Sequence, residues 1–167
     1  MEIIKDQARV TSSIQNGIGY VTFFHPQSNS LPGHILRALA EEITKVGNDP
    51  LAKVILLQSE GDKTFCAGAS FDELISINDI ETGTTFFSGF AGVINAMRKA
   101  PKFVIARVQG KAVGGGVGLA SAADYTFATE GKWISSDTTG LYFRKLALKN
   151  GNIYVTGYTS SSNFPLL

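Results

Sequence analysis

The stretch that decides the fold is Phe103-Val104-Ile105-Ala106-Arg107-Val108-Gln109-Gly110-Lys111-Ala112-Val113-Gly114-Gly115-Gly116. Five of its first six residues are β-branched, aromatic or apolar, as a strand favours, and three consecutive glycines follow within a few residues. The small and apolar residues Val117 to Ala123 then read as a short packed helix, and Asp124 to Ala128 as another short strand. A strand running through glycines into a helix is a layered α/β pattern, in which main-chain N–H groups at the helix start can point at a ligand.

Working backwards, Phe86, Phe87, Phe90, Val93, Ile94 and Met97 repeat at helical spacing, and Ala100-Pro101 closes that helix. The apolar run Val54-Ile55-Leu56-Leu57 within Lys53 to Gln58 is expected to be a strand buried on both faces, followed by a glycine-punctuated loop from Gly61 to Ala69. Leu36, Leu39, Ala40, Ile43 and Val46 form one helical stripe, which Gly47-Asn48 ends. Arg9 to Phe24 reads as a hairpin turned at Asn16-Gly17. The order ββα, βα, βα implies parallel pairing across the crossovers.

Bulk properties narrow the partners. The chain has 167 residues, 44% hydrophobic and 17% charged, which suits one globular core. Its 15 basic and 14 acidic residues leave a net charge of +1 with no basic run, so neither nucleic acid nor an anionic membrane is the expected partner. A lone cysteine, Cys66, and only two histidines, His25 and His34, give no disulfide and no metal-site pattern. With no leader-like start and no long apolar run, a cytoplasmic location is the expectation.

Two segments carry the chemistry. Thr64-Phe65-Cys66-Ala67-Gly68-Ala69 and Gly110 to Gly116 each follow a buried strand, and their small residues let a ligand approach the backbone closely. Taken singly, a glycine triplet equally serves a tight turn or a close helix contact. Together, the first resembles the Phe-x-Ala-Gly-Ala-Asp segment of the crotonase (enoyl-CoA hydratase/isomerase) family, and the second resembles its Gly-x-Ala-x-Gly-Gly-Gly-x-x-Leu-Ala-x-x-x-Asp segment. The resemblance covers about Val10 to Glu130.

That resemblance implies a crotonase-like core of repeated strand-strand-helix units that binds an acyl-CoA. The backbone N–H groups of Ala69 and Gly115 would hold the thioester carbonyl in an oxyanion hole. In other enzymes such a donor is worth about 2.7–4 kcal/mol. Cys66, Ala67, Gly68, Ser70, Phe71 and Gly114 would border the coenzyme, with the loop after Phe71 as a lid. Ser70 stands where the family usually has Asp. The resemblance implies no metal and no covalently bound cofactor, coenzyme A thioester being the substrate or ligand. It also implies a homo-oligomer, a trimer or hexamer.

The resemblance fails at the acid/base residues. Where the family's hydratases carry two glutamates, this chain has Gly118 and Thr138, and Asp137 is the nearby carboxylate. Asp72, Glu73 and Glu81 read as lid surface charges. His25 and His34 flank a loop where the family contacts the coenzyme but read more readily as solvated side chains, whereas Lys63, Arg107 and Lys111 are as easily phosphate partners as surface charges. From Gly131 the family's pattern is lost, so the expectation is a core over residues 1–130 and a divergent tail over 131–167 lacking the family's C-terminal helices. Two functions follow: hydration or double-bond isomerisation of an enoyl-CoA, or non-catalytic acyl-CoA binding as an assembly subunit.

Overall fold

The computed structural model describes residues 7–129, 134–135, 141–149 and 152–159, with side chains described for 7–129. Strands β1 (Arg9–Gln15) and β2 (Ile18–Phe24) form the expected hairpin. Asn16 and Gly17 both have positive φ, 53° and 82°, as a type I′ turn demands. A two-residue strand β3 (Ser30–Leu31) leads into helix α1 (Gly33–Asn48). Then come β4 (Val54–Ser59), β5 (Thr64–Cys66), β6 (Gly68–Ala69), α2 (Phe71–Ser76) and α3 (Ile80–Lys99). The same pattern repeats as β7 (Phe103–Val108), β8 (Lys111–Val113), α4 (Gly115–Ala122), β9 (Tyr125–Ala128) and β10 (Ile134–Ser135).

Each repeat gives one strand to each of two sheets. The larger sheet runs β1-β2-β4-β7-β9 and the smaller β10-β8-β5, with every pair parallel except the hairpin. A third, minimal pairing joins β3 to β6. This is the strand-strand-helix architecture expected from the sequence.

The core lies on one face of the larger sheet. Val21 and Phe23, Ile55 and Leu57, and Val104, Ala106 and Val108 point inward at alternate positions and meet Ile35, Leu36, Leu39, Ile43 and Val46 of α1. Phe23 and Phe65 pack edge-on at 5.4 Å, joining β5 to this core. The expectation that β4 is buried on both faces is corrected: its outward residues are only half-buried. They lie beside a polar row, where Arg107 donates to Gln58 (3.3 Å) and Gln58 to Thr22 (3.1 Å). That row can stay hydrated, so this face does not need a covering layer.

Three further corrections concern short or weakly patterned elements. The Gly61–Ala69 loop contains β5 and β6, and β8 separates β7 from the glycines. Three residues are too few to show a period. The loop after Phe71 begins as helix α2, whose N-cap is Ser70. Helix α3 starts at Ile80, well before the apolar repeat, despite Gly83, Thr84 and Thr85. A capping box starts it: the Asp79 carboxylate accepts from the Thr82 N–H (2.7 Å), and the Asp79 N–H donates to the Thr82 hydroxyl (3.4 Å).

In the 131–167 region a second hairpin pairs β11 (Leu141–Lys149) with β12 (Asn152–Thr159). The sequence there offers only a weak strand-like run, Ile153-Tyr154-Val155, which falls within β12.

Candidate functional site

Parallel pairing of β5 with β8 sets Cys66 beside Ala112. The chain leaving each strand is thereby held next to the other. An ideal Cβ on Gly68 would sit 3.2 Å from the Val113 carbonyl oxygen and 3.5 Å from the Gly115 backbone nitrogen. Gly68 has φ +96° and Gly114 φ +53°, so both turns use backbone conformations that favour glycine. The Ala67–Ala69 and Gly114–Gly116 segments therefore abut, main chain against main chain.

Gly115 is the first residue of α4, with Gly114 as the helix N-cap. N–H groups in a helix's first turn have no partner within the helix and lie at the positive end of its dipole. Ala69 is half-buried in β6, its carbonyl accepting from the Ser30 hydroxyl at 3.0 Å.

The other expected border residues divide between exposure and framework roles. Ala67 donates its N–H to the Asn29 carbonyl (3.2 Å). Ser70 is buried and its hydroxyl accepts from the Glu73 N–H (3.4 Å), which spends it on α2. Phe71 is 75% exposed. Asp137 and Thr138 lie outside the described residues. Of the basic candidates, Arg107 is committed to the outer sheet face through Gln58. His25 is half-buried, and burial pushes its imidazole below its ordinary pKa, with His34 adding repulsion and Asp72 opposing both.

Cys66 is fully buried, and burial pushes its thiol up from 9.0 to about 12, against a weaker contrary effect from the Gly68 N–H it accepts. Between those values the unfolded chain loses a proton that the folded chain keeps. Folding stability is therefore expected to fall as pH rises from about 9 toward about 12. Cys66→Ala should flatten that part of the stability-versus-pH curve. An unchanged slope in the variant would assign it to other groups.

Helix α4 is walled by its neighbours at two of its glycines. A Cβ on Gly116 would lie 2.5 Å from the Cys66 carbonyl oxygen, and one on Gly115 within 2.5–2.6 Å of three atoms of the Phe90 ring. At Gly118 a Cβ would meet only Ile94 Cδ1, at an ordinary 3.5 Å. Gly118→Ala is therefore expected to raise stability by roughly 0.5–1 kcal/mol, the helix-propensity gain alone. A chemical-denaturation midpoint that drops would contradict this.

Sequence reading put Phe90 and Ile94 in one helical repeat, which packs against the core, and missed that both also face these glycines. It also missed a polar stitch at the strand ends. Buried Gln109 donates to the Ser59 hydroxyl (2.8 Å) and the Gly61 carbonyl (3.0 Å), pinning the loop before β5.

The family model for enoyl-CoA hydratase/isomerase matches residues 13–141, most of the chain. The chain belongs to the enoyl-CoA hydratase/isomerase family. Mitochondrial methylglutaconyl-CoA hydratase of Rattus norvegicus is 35% identical over 123 residues, covering 74% of this chain and 37% of the relative. Ethylmalonyl-CoA decarboxylase of Xenopus tropicalis is 27% identical over 124 residues, covering 74% and 41%. Among solved structures, enoyl-CoA hydratase from Bacillus anthracis superposes with a TM-score of 0.68 at 25% identity, covering 74% of this chain and 48% of that one. The chain thus spans well under half the length of these curated relatives. A separate short match, to a β-propeller repeat, falls on residues 149–165.

The family match continues past Glu130, where the sequence pattern fades to inspection, and the fold is the crotonase fold of the solved neighbours. Among the described residues no helix is long and apolar enough to cross a membrane.

Proposed function

We propose that this chain binds an acyl-CoA thioester and polarises its carbonyl between the backbone N–H groups of Ala69 and Gly115. The observation that carries this reading is the abutment of Gly68 on the Gly115 nitrogen, which puts the two donor segments within one small group of each other. Preorganised donors there would stabilise the enolate that hydration and double-bond isomerisation of an enoyl-CoA share. Relatives whose names denote a hydratase and a decarboxylase of CoA thioesters support the substrate class.

A second reading, non-catalytic thioester binding as an assembly subunit, is favoured by Gly118. It occupies the position of the family's first acid/base glutamate and faces Ile94. The trimer or hexamer and the division into a 1–130 core and a 131–167 tail belong to the same proposal. Sedimentation tests the former.

The deciding experiment is thermal unfolding of the full chain with crotonyl-CoA and with free coenzyme A. A ligand at about 100 times its Kd should stabilise by roughly 2.7 kcal/mol. Crotonyl-CoA should act at lower concentration than free coenzyme A, because only it offers the carbonyl. No shift with either would overturn thioester binding. Binding without turnover of crotonyl-CoA would select the second reading.

A further inference from the structure

Phe90 and Ile94 lie four residues apart on α3, and Gly115 and Gly118 three apart on α4, so each pair occupies one helix face. The two faces touch at the glycines, with the tip of the Phe90 ring where a Gly115 side chain would begin. Nothing on α4 therefore screens a group at the Gly115 N–H from that ring. Phe90 is only partly buried, so its remaining surface stays accessible. The same α3 face continues away from α4 through Phe87, 71% exposed, to Ile80, 88% exposed. A half-covered ring at the helix start thus opens onto an apolar strip leading to solvent.

Resting on the thioester reading above, we infer that Phe90 is the specificity wall of this site: the acyl carbons next to the bound carbonyl pack on its ring, and the ring limits how bulky they can be. An oxygen accepting from the Gly115 N–H lies beside the Gly115 Cα, which Phe90 covers. The carbons attached to that carbonyl must then meet the ring or turn away along the apolar strip. A small, flat acyl group fits against the ring, and a branched or aromatic one collides with it. Ile94, one turn further on, closes the far side against Gly118.

The test compares the full chain with Phe90→Ala and Phe90→Leu, measuring affinity for crotonyl-CoA, benzoyl-CoA and free coenzyme A by calorimetry. Phe90→Ala should weaken crotonyl-CoA and tighten benzoyl-CoA, each by about tenfold, the scale of gained or lost apolar pocket contact. Free coenzyme A should be unchanged, which also certifies that the variant is folded. Phe90→Leu, which keeps an apolar contact on Gly115, should move both thioesters in the same directions by smaller factors. Equal changes for the two thioesters, or none, would overturn the role of Phe90 while leaving thioester binding standing. Failure of the unaltered chain to bind either thioester would overturn both.

Discussion

Asn29→Ala is expected to lower the unfolding free energy by about 4 kcal/mol, among the largest effects of a single substitution here. Asn29 is 3% exposed, and its side chain joins three segments. Its Oδ1 accepts from the His25 N–H (2.8 Å), and its Nδ2 donates to the carbonyls of Glu60 (3.0 Å) and Thr64 (2.8 Å). Alanine would leave those partners unmatched, at roughly 1–3 kcal/mol for each group that stays unsatisfied. It would also hold a φ of +55°, a left-handed conformation costing a non-glycine residue about 1–2 kcal/mol. Asn29→Gly separates the two causes. It should lose the same hydrogen bonds and recover about 1 kcal/mol of the backbone cost. Denaturant unfolding in which glycine is no better than alanine would show that the backbone conformation contributes nothing.

The second large effect is expected at Gly110. A Cβ there would lie 2.5 Å from both the carbonyl carbon and oxygen of Lys63 and 2.6 Å from the Thr64 nitrogen. All three are main-chain atoms, so no side-chain rotation relieves the clash. Gly110→Ala should therefore cost about 3 kcal/mol, the upper part of the overpacking range. For a chain of this size that is a fall in Tm of roughly 10 °C. The crossing is also where the Lys111 N–H donates to the Lys63 carbonyl (3.0 Å), the first bond holding β8 to β5. Separating those strands should abolish the proposed thioester binding along with the lost stability. Gly92→Ala is the control: a Cβ there meets nothing within 4 Å, and it should gain roughly 0.5–1 kcal/mol. A Gly110→Ala protein as stable as the parent would refute the close crossing.

What the sequence made legible follows from what each element needs. The hairpin was readable because Asn16-Gly17 tolerates two positive φ angles, and α1 because five apolar residues recur on one stripe. That the Ala67–Ala69 and Gly114–Gly116 segments belong together was readable, since small residues at the end of each strand answer one geometric demand. Asn29 was not, because an asparagine between Pro26 and Pro32 looks like ordinary loop punctuation until its partners at Glu60 and Thr64 are known. Gly110 hid for the same reason: its neighbour is a backbone distant in sequence. Phe90 and Ile94 declared themselves apolar, but periodicity cannot say which distant segment an apolar residue meets, here the glycines of α4 as well as the core. The acid/base question stays with Asp137 and Thr138, outside the described residues.

The short ladder of β5 and β8, two residue pairs with a register shift between them, has a consequence in time. The hairpin β1–β2 closes locally, whereas joining Thr64–Cys66 to Lys111–Val113 means closing a loop that contains α2, α3 and β7. Loop closure of that length is paid before so short a ladder returns anything. The abutting segments at Gly68 and Gly115 should consequently be the last part of the described chain to assemble and the first to open. In a refolding experiment, recovery of crotonyl-CoA binding should lag recovery of far-ultraviolet helix signal. Simultaneous recovery would mean that the two sheets form as one cooperative unit.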